Sequence, residues 1–401
     1  MDRYLPELQT SQSQIETGEW LRLWSLDPNI TFLNHGSFGA CPIAVLKHQQ
    51  SLQAQMEAAP VRFFAMELEA LIDEARQALA HFVGADAAGL VFVPNATAGV
   101  NTVLRSLSFQ PGDELLTTNH EYNASRNALN FVAQQSGATV IVADVPFPID
   151  EPGQVIEAVL SGISGKTRLV LLDHVTSQTG LIFPLQPLIE ALTQRGIEVL
   201  VDGAHAPGMI PLNLKELGAT YYTGNCHKWM CNPKGAAFLA VAAERTQLRP
   251  LAISHGANSL RGDRSRFHLE FDWTGTVDPT AYLCIPETIR YMGSLSPGGW
   301  TELMAGNRQK ALAARDLLCQ ALNINPPCPQ DMMAAMGVLP LPNGCVETLK
   351  DDLFQRFKIE VPIIPWHGSS NRLIRVSAQL YNTPTDYDVL ARALVKLLTE
   401  E

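Results

Sequence analysis

Lys228 is the residue whose surroundings most favour covalent chemistry. It lies between His227 and Trp229 in the segment TGNCHKWMCNPKG at 223–235, just beyond a short predicted strand at 220–224. Burial lowers the pKa of a lysine because it disfavours the charged ammonium, and the neutral amine is the form that attacks a carbonyl group to give an imine. Taken alone, a His-Lys pair more often belongs to a surface salt bridge, so the neighbouring motifs decide between the two interpretations.

Asp202 is a second candidate, because it ends an apolar run in the motif VDGAHAPG at 201–208. Burying an isolated carboxylate is costly, so an aspartate there needs a positive partner, and a pyridinium nitrogen is suitable. Asp202 and His205 could instead be two ligands of a metal ion. No third and fourth ligand follows at zinc spacing, and Cys226 and Cys231 form no CxxC pair. We therefore predict no metal site.

Two further motifs with small or hydroxylated residues follow predicted strands. PNATAGVN at 94–101 passes from a strand into a helix at Thr97, and the free backbone N–H groups at such a helix start bind phosphate. For this motif alone, an ordinary helix cap is the commoner explanation. HVTSQTG at 174–180 contributes Ser177 beyond another strand.

The motif NHEYNAS at 119–125 places an aromatic ring directly after a strand. Tyr122 is therefore a candidate to stack on a planar ligand, although packing at the surface or in the core is the commoner role for a single tyrosine. His120 and Glu121 form either a proton-relay pair or a hydrogen-bonded structural pair, and the sequence leaves both possibilities open.

These motifs follow strands of one predicted sheet, and open α/β sheets bind ligands at the carboxyl ends of their strands. Short apolar runs alternate with amphipathic segments, which predicts an α/β fold with a mostly parallel sheet covered by helices. Helices are predicted at 97–107 and 185–196. Seven strands are predicted: LVFV at 90–93, ELLTT at 114–118, TVIVADV at 139–145, RLVLLDH at 168–174, EVLVDGA at 198–204, TYYTG at 220–224 and AAFLAV at 236–241. Several of them are apolar throughout, as in sheets that are covered on both faces.

The pattern changes at about residue 245, where an irregular stretch rich in arginine and glycine predicts a long functional loop. Beyond it, residues 280–320 are predicted to be helical, strands are predicted at 359–364 and 372–378, and a helix at 385–399. We therefore predict three parts: an N-terminal segment at 1–30, a large domain at 31–275, and a smaller α+β domain at 276–401.

Length and composition are those of a soluble two-domain enzyme. A chain of 401 residues exceeds what one core holds, so two domains sharing a cleft are expected. The net charge of -11, without any long Lys/Arg run, argues against nucleic acid and favours a small-molecule partner. Seven scattered cysteines do not form a secreted disulfide pattern. The N-terminus carries no apolar signal core and no stretch is long enough to span a bilayer, so a cytoplasmic location without membrane contact is predicted.

Taken together, the ordered motifs resemble the class V aminotransferase-fold enzymes, most closely the isopenicillin N epimerase-like branch. The resemblance extends from NHGSFG at 34–39 to RVSAQLYNT at 375–383, and the blocks HKW and DGAH are its most specific parts. It implies fold type I of the enzymes that use pyridoxal 5'-phosphate (PLP), a seven-stranded large domain with a smaller α+β C-terminal domain, and a homodimer with the active site at the interface.

The resemblance also implies a role for each site residue. Lys228 would carry PLP as a Schiff base and later move the α-proton of the substrate, while Asp202 would bind the pyridine nitrogen and Tyr122 would stack on the ring. The other implied cofactor contacts are Ala96, Thr97, Asn225 and His227 at the phosphate, Thr276 of the WTGT segment from the second subunit, and His205 and Ser177 near the phenolic oxygen. Arg375 would bind the substrate carboxylate, although a strand-end salt bridge is the plainer alternative.

The substrate is implied to be an amino acid whose bond at the α-carbon is labilised. An epimerase-like reaction ranks first, then a cysteine, cystine or hercynylcysteine-sulfoxide-type C–S lyase or an aminotransferase; an inactive binding module is the alternative from another class. Epimerisation requires a second acid-base group, for which His35, His120 and Tyr122 are candidates, with His35 also assigned to the substrate side.

Two sequence features bear on the substrate. The related desulfurases carry a nucleophilic cysteine shortly before the equivalent of Arg375, but no cysteine follows Cys345 here, so a persulfide mechanism is disfavoured. Arg261, Arg264 and Arg266 would either select an acidic substrate or belong to a solvated loop.

Overall fold

Strands and helices alternate through most of the chain in the computed structural model, which describes residues 19–366 and 371–401. Its strands are β1 (Thr31–Phe32), β2 (Leu90–Val93), β3 (Glu114–Thr118), β4 (Thr139–Ala143), β5 (Thr167–Asp173), β6 (Glu198–Asp202), β7 (Tyr221–Asn225), β8 (Ala237–Val241), β9 (Met336–Leu341), β10 (Ile359–Glu360), β11 (Ile363–Pro365) and β12 (Arg372–Ser377). Its helices are α1 (His35–Phe38), α2 (Ile43–Ala58), α3 (Pro60–Arg62), α4 (Leu68–Val83), α5 (Ala96–Ser106), α6 (Asn123–Ser136), α7 (Gly153–Ser161), α8 (Leu185–Thr193), α9 (Leu214–Leu217), α10 (Arg266–Phe271), α11 (Thr280–Leu283), α12 (Ile285–Ser294), α13 (Gly299–Leu322), α14 (Val346–Phe357) and α15 (Pro384–Glu400).

The larger sheet contains seven strands in the order β2-β8-β7-β6-β5-β3-β4. Its neighbours run parallel except at β8, which is antiparallel to both β2 and β7. The seven predicted strands are confirmed, with ends that differ by at most two residues. Strand β6 is buried from Val199 to Asp202, as expected for a strand with helices on both faces of its sheet.

The predicted helices at 97–107 and 185–196 correspond to α5 and α8. Helix α5 begins after Asn95, whose side-chain oxygen accepts a hydrogen bond from the amide of Ala98 at 2.8 Å. This cap satisfies one of the amides that a helix start leaves unpaired. The cap thus fixes where the chain turns from β2 into the helix.

A second sheet of three antiparallel strands, in the order β11-β12-β9, forms the C-terminal unit together with α13, α14 and α15. Strand β1 pairs in parallel with β10, so the chain enters this unit once before it builds the large sheet. A mostly parallel helix-covered sheet with a smaller α+β unit confirms the predicted fold class. Strand β9 was not predicted, and the predicted strand at 359–364 is divided into β10 and β11.

Helices α11 and α12 connect the two units. They pack against α2 and α4, whereas α13 packs against β9 and α15. The division into 1–30, 31–275 and 276–401 stays a prediction, and residues 1–18 lie outside the described part of the chain. Within the described ranges, no helix combines the length and the apolar character needed to cross a membrane.

The region predicted as a long loop beyond residue 245 contains α10 and a short 3-10 turn at His255–Asn258. Ion pairs attach this region to α4 and to its own carboxylates, with Arg261 bound to Glu69 and Asp263, Arg264 bound to Asp73 and Asp272, and Arg266 near Glu270. These arginines neutralise carboxylates of the chain itself. The structure therefore gives no support to their selecting an acidic substrate.

Candidate active site

The carboxyl ends of β5, β6 and β7 bring polar side chains together. Asp173 ends β5 and is the register partner of Asp202, which ends β6. Asn225 ends β7, and Lys228 follows in the next loop. Parallel neighbours end at the same edge of the sheet, so the predicted residues Asp202, Asn225 and Lys228 lie at one site.

The amine of Lys228 lies inside this site. Its Nζ is 3.1 Å from Nε2 of His205. Burial, together with the positive charge of Arg375, lowers the pKa of Lys228 to about 8 against the opposing effect of Asp202 and Asp173. A substantial fraction of the amine is therefore neutral near pH 8, as a nucleophile requires.

The loop that carries Lys228 is held from two sides. The ring of His35 contacts the Lys228 carbonyl oxygen through Nε2 at 3.1 Å and the Tyr381 hydroxyl through Nδ1 at 2.7 Å. Gly39, with φ of 69°, passes so close that a Cβ atom there would lie 2.2 Å from the carbonyl oxygen of His227. A glycine is required at that crossing, and the lysine loop is fixed against the N-terminal part of the chain.

Three buried carboxyl groups, Glu121, Asp173 and Asp202, lie with ligand atoms within 4.8 Å of one another. Asp202 accepts hydrogen bonds from the Ser125 hydroxyl at 2.8 Å and the Ala204 amide at 3.0 Å. Glu121 Oε1 and Asp173 Oδ2, in contrast, have no hydrogen-bond partner among the described residues. We refer to these three residues as the carboxyl cluster.

Burial and mutual repulsion keep the carboxyl cluster short of full ionisation. Desolvation, followed by the charge of Asp202, raises the pKa of Glu121 to about 8. Burial raises the pKa of Asp173 well above its usual range and also raises that of Asp202, which its two hydrogen-bond donors oppose. Asp202 is therefore the member best stabilised as a carboxylate, and a positive group beside it would be strongly attracted.

The start of α5 forms the other end of the site. The Asn225 side-chain oxygen accepts from the amide of Ala96 at 2.8 Å, and the Thr97 hydroxyl has no partner among the described residues. His227 donates from Nδ1 to the Ala236 carbonyl oxygen at 2.8 Å, which leaves Nε2 as the acceptor nitrogen of a ring whose pKa burial lowers to about 4. Asn225 thus lies against the helix start formed by Ala96 and Thr97, and His227 follows Asn225 by two residues in the chain.

Arg375 is a buried guanidinium, with 4% of its surface exposed. It donates from Nη1 to the Ser177 carbonyl oxygen and from Nη2 to the Ser37 hydroxyl at 3.0 Å. No carboxylate in the described ranges forms an ion pair with it, and its Nε has no partner there. Burial lowers its pKa to about 10. The strand-end salt bridge considered from the sequence is absent from the described residues, and the guanidinium is available to an anion.

Tyr122 and Thr276 are both exposed to solvent. Tyr122 precedes α6 with 42% of its surface exposed, and its hydroxyl makes no hydrogen bond to a described residue. Thr276 follows Thr274 and Gly275, which line a cleft of about 220 Å³ that also includes Pro94, just before α5. The contact of Thr276 with the phosphate of a second subunit stays a prediction.

His120 and Glu121 do not act as a pair in the structure. His120 contacts the Thr179 hydroxyl at 2.7 Å and the Val145 carbonyl oxygen at 3.0 Å, whereas Glu121 belongs to the carboxyl cluster. The structural alternative is therefore the better description of His120. Asp202 and His205 likewise separate, because His205 contacts Lys228 while Asp202 joins the other carboxyl groups.

The sequence matches the aminotransferase class-V family over residues 37–318, more than half of the chain. This chain belongs to the class V aminotransferase family. The class V chain is also similar to the isopenicillin N epimerase of Amycolatopsis lactamdurans, at 34% identity over 93% of the chain and 96% of the relative. A probable chloroplastic L-cysteine desulfhydrase of Arabidopsis thaliana is 29% identical over 93% of the chain and 84% of the relative.

Solved structures share the fold of the class V chain. One is a variant of the C-DES enzyme with glycine covalently linked to its PLP cofactor, which matches with a TM-score of 0.78 at 21% identity over 94% of this chain and 98% of that one. The cysteine desulfurase CsdA of Escherichia coli matches with a TM-score of 0.77 at 20% identity over 97% and 99%. Similarity at this identity defines the fold, and the chemistry must be argued from the residues.

Pyridoxal phosphate is the cofactor of the class V family, and the site fits its three polar parts. An aldehyde requires an amine, and Lys228 offers one with a lowered pKa. A pyridinium nitrogen requires a carboxylate, and Asp202 offers one that two hydrogen-bond donors help to keep ionised. A phosphate requires free donors, and the Thr97 hydroxyl at the start of α5 has no partner among the described residues.

Several residues of the site were not found from the sequence. Asp173 and Ser125 surround Asp202, Ser37 contacts Arg375, and Trp229 contacts His205. Asp173 had a detectable signal, since it also ends an apolar run, at the same offset as Asp202 in the neighbouring strand. Ser125 and Ser37 had none, because their contacts join segments far apart in the sequence.

Proposed function

We propose that this class V enzyme acts at the α-carbon of an amino-acid substrate, with PLP bound to Lys228. The observation that carries the proposal is the charge pattern around one amine. Lys228 lies between the carboxyl cluster and Arg375, a buried guanidinium, and neither of the two forms an ion pair with another described residue. A ring nitrogen and a substrate carboxylate would supply the two missing charges.

The proposed cofactor contacts follow the geometry of the site. Asp202 would hold the ring nitrogen in its protonated form, with Ser125 and Ala204 keeping the carboxylate ionised. Tyr122 would stack on the ring, and His205 with Ser177 would lie near the phenolic oxygen. The remaining set would bind the phosphate: Ala96, Thr97, Asn225 and His227, with Thr276 from the second subunit.

The chain's own residues would perform the proton transfer. PLP supplies an electron sink that stabilises negative charge at the substrate α-carbon. Arg375, oriented by Ser177 and Ser37, would bind the substrate carboxylate through two parallel hydrogen bonds. Lys228, held as a neutral amine, would accept the α-proton. Because Arg375 and Lys228 belong to different units of the chain, their spacing would set which bond of the substrate faces the amine.

An epimerase-like reaction is the first proposed outcome, supported by 34% and 32% identity to two isopenicillin N epimerases. It needs an acid on the face opposite Lys228. His35 and His120 each have both ring nitrogens engaged, and burial lowers the pKa of His35 to about 3. Tyr122 has a free hydroxyl among the described residues, so we propose it as the second acid-base group.

A C–S lyase is the second candidate, favoured by the similarity to cysteine desulfhydrases. It would use the same α-proton removal, followed by loss of a sulfur group from the β-carbon. A desulfurase reaction is not proposed. The cysteines other than Cys345 are buried, and Cys345 lies beside Glu347, with Sγ 3.5 Å from the Oε2 atom of that glutamate. A thiolate poised to take sulfur is thus missing from the described residues.

The proposal is tested by adding PLP to the purified protein and recording its absorbance spectrum. Wild type is expected to show the band of a protonated imine, and borohydride is expected to fix the cofactor on the peptide that contains Lys228. Lys228→Ala should show neither, whereas the matched control Lys310→Ala, a lysine that binds the Gln379 and Leu380 carbonyls, should keep both. Labelling of another lysine in wild type would overturn the proposal.

The reaction type is tested by incubating the holoenzyme with a panel of amino acids in D₂O. Racemised product with deuterium at the α-carbon supports the epimerase, pyruvate with sulfide supports the lyase, and a keto acid supports an aminotransferase. No α-deuterium with any member of a panel that includes aminoadipyl and cysteinyl substrates would contradict an enzymatic role.

We further propose a homodimer with the active site at the subunit interface. Apolar side chains are exposed on the segments around the WTGT motif, with 51% of Leu251, 58% of Ile253 and 54% of Val277 accessible. Val61 and Met66, near the start of α4, are 81% and 77% accessible. Exposed apolar surface of this kind favours association, and the dimer would cover it. Light scattering on the purified protein measures the oligomeric state directly.

A further inference from the structure

His205 lies between an indole and the amine of the site. Its Nδ1 accepts a hydrogen bond from Nε1 of Trp229 at 3.2 Å, and its Nε2 is 3.1 Å from Nζ of Lys228. Trp229 is fully buried, and His205 is 2% exposed. The His35 ring packs against the indole, with ring centroids 4.9 Å apart. These contacts leave the indole little freedom to turn its N–H elsewhere.

The chemistry of the indole fixes the direction of both hydrogen bonds. An indole nitrogen can only donate, so Nδ1 of His205 must carry a lone pair. In a neutral imidazole the other nitrogen then carries the proton. The proton on Nε2 points along the contact to Lys228, so the lysine nitrogen must accept it. An ammonium has three donors and no lone pair, and it would oppose this contact.

The surrounding groups agree with a neutral imidazole. Burial, with the positive charges of Lys228 and Arg375, holds the pKa of His205 well below its ordinary value. The charged and titratable groups that act on Lys228 are Arg375 from β12, Asp202 from β6 and Asp173 from β5. The two carboxyl groups favour the ammonium and the guanidinium opposes it. The hydrogen bond from His205 Nε2–H to the Lys228 nitrogen also favours the neutral amine.

We propose that Trp229 is a positioning residue that locks His205 as the Nε2–H tautomer and thereby holds Lys228 as a neutral hydrogen-bond acceptor, ready to attack an aldehyde. The inference rests on the proposed role of Lys228 as the cofactor lysine. It assigns to Trp229 a chemical task in addition to packing. A phenylalanine would fill most of the same space but would release the tautomer.

The tautomer is measured directly by 15N NMR of the histidine side chains in the PLP-free protein. The two ring nitrogens have different shifts when protonated and unprotonated, and a His205→Gln sample identifies the signals of His205. We expect an unprotonated Nδ1 and a protonated Nε2 across the neutral pH range. A protonated Nδ1, or a doubly protonated ring, would overturn the proposal, and this measurement needs no Trp229 variant.

The effect on Lys228 is measured in Trp229→Phe by reductive methylation with formaldehyde, followed by mass spectrometry of the Lys228 peptide. In the variant, His205 is free to expose the Nε2 lone pair to an ammonium, so we expect about tenfold slower labelling at neutral pH and a midpoint about one pH unit higher. Trp300→Phe is the matched control, because it removes an indole N–H that donates to the Ile289 carbonyl oxygen at 2.9 Å, outside the lysine loop. Its profile should equal that of wild type.

The outcomes separate this inference from the proposed function. If borohydride fixes PLP on Lys228 but Trp229→Phe keeps the wild-type labelling profile and folds normally, the tautomer lock is wrong and the proposed function stands. If PLP does not attach to Lys228, the proposed function fails whatever the tautomer of His205. A Trp229→Phe protein that does not fold leaves the NMR measurement on the wild type to decide.

Discussion

Glu121→Gln should change how the stability of the PLP-free protein depends on pH. Burial and the charge of Asp202 raise the pKa of Glu121 from 4.5 to about 8. A group whose pKa is raised by folding stabilises the protein fully below its unfolded value, and that contribution is lost as pH rises through the folded value. Wild type should therefore lose stability between about pH 5 and pH 8 relative to the variant, since glutamine does not titrate.

The size of the effect follows from the shift. Each pKa unit corresponds to 1.36 kcal/mol, so the shift of Glu121 alone would amount to roughly 5 kcal/mol. Asp173 and Asp202 share the same protons because their oxygens lie within 4.8 Å of Glu121. This coupling spreads the change in protonation over all three residues of the carboxyl cluster. We therefore expect wild type to lose about 1–3 kcal/mol more than Glu121→Gln over this range.

The assay is urea unfolding followed by circular dichroism at a series of pH values, with the free energies of wild type and variant subtracted at each pH. Lys228 titrates near the same pH with the opposite sign, because folding lowers its pKa to about 8. It is present in both proteins, so its contribution largely cancels in the difference. Glu302→Gln is the control: this exposed glutamate has a lowered pKa owing to Ser296 and Gly298, so its difference should stay flat above about pH 5.

Parallel stability curves for wild type and Glu121→Gln across this range would refute the reasoning. They would mean that Glu121 is ionised in the folded chain and that its charge is compensated. A difference that grows as pH falls would have the wrong sign and would refute it as well. Only a loss in wild type as pH rises fits a buried, protonated acid beside Asp202.

Three more outcomes follow from the site. Arg375→Lys should raise KM for the amino acid by about 10²-fold with a smaller effect on the PLP spectrum, because a lysine cannot bind a carboxylate with two parallel hydrogen bonds. The control is Arg372→Lys, which alters a buried ion pair with Glu401. It should lower Tm but leave KM unchanged. If Thr276 acts across the interface, equimolar mixing of Lys228→Ala and Thr276→Ala chains should restore about a quarter of the wild-type sites, measured by activity, whereas action within one subunit predicts no recovery. In the epimerase reaction, Tyr122→Phe should abolish α-deuterium exchange from one enantiomer and keep exchange from the other, as followed by chiral chromatography and mass spectrometry.

The large sheet was predictable because its signal is local. The runs LVFV at 90–93 and VLV at 199–201 are apolar without interruption, and a strand buried on both faces has few other compositions available. The smaller unit was harder to predict. Strand β9 contains Pro340 and Gly337 within MGVLPL, residues that usually argue against a strand interior. It forms because β12 and α13 cover it, and neither contact is visible in a local pattern.

The residues of the site likewise divide into those that a local sequence pattern predicts and those that depend on contacts between distant segments. Lys228, Asp202 and Thr97 each follow a strand, so the order of motifs along the chain predicted that they would meet at one edge of the sheet. The carboxyl cluster could not be found in this way, because recognising it requires knowing that β5 and β6 are neighbours in register. The direction of the Trp229 hydrogen bond depends on a rotamer, and no spacing in the sequence encodes a rotamer.

The charges of the site explain why cofactor, substrate and chain should act together. Asp202 lacks a positive partner and Arg375 lacks a negative one among the described residues, and each is buried, so the empty chain carries the cost of two desolvated groups. The two charges do not pair with each other. The positive charge of Arg375 lowers the pKa of Lys228, whereas the negative charge of Asp202 raises it. A ligand with a positive ring nitrogen satisfies the first, and an amino-acid carboxylate satisfies the second. Binding of each should therefore stabilise the folded protein, and a chain selected for stability alone would have joined or removed these charges.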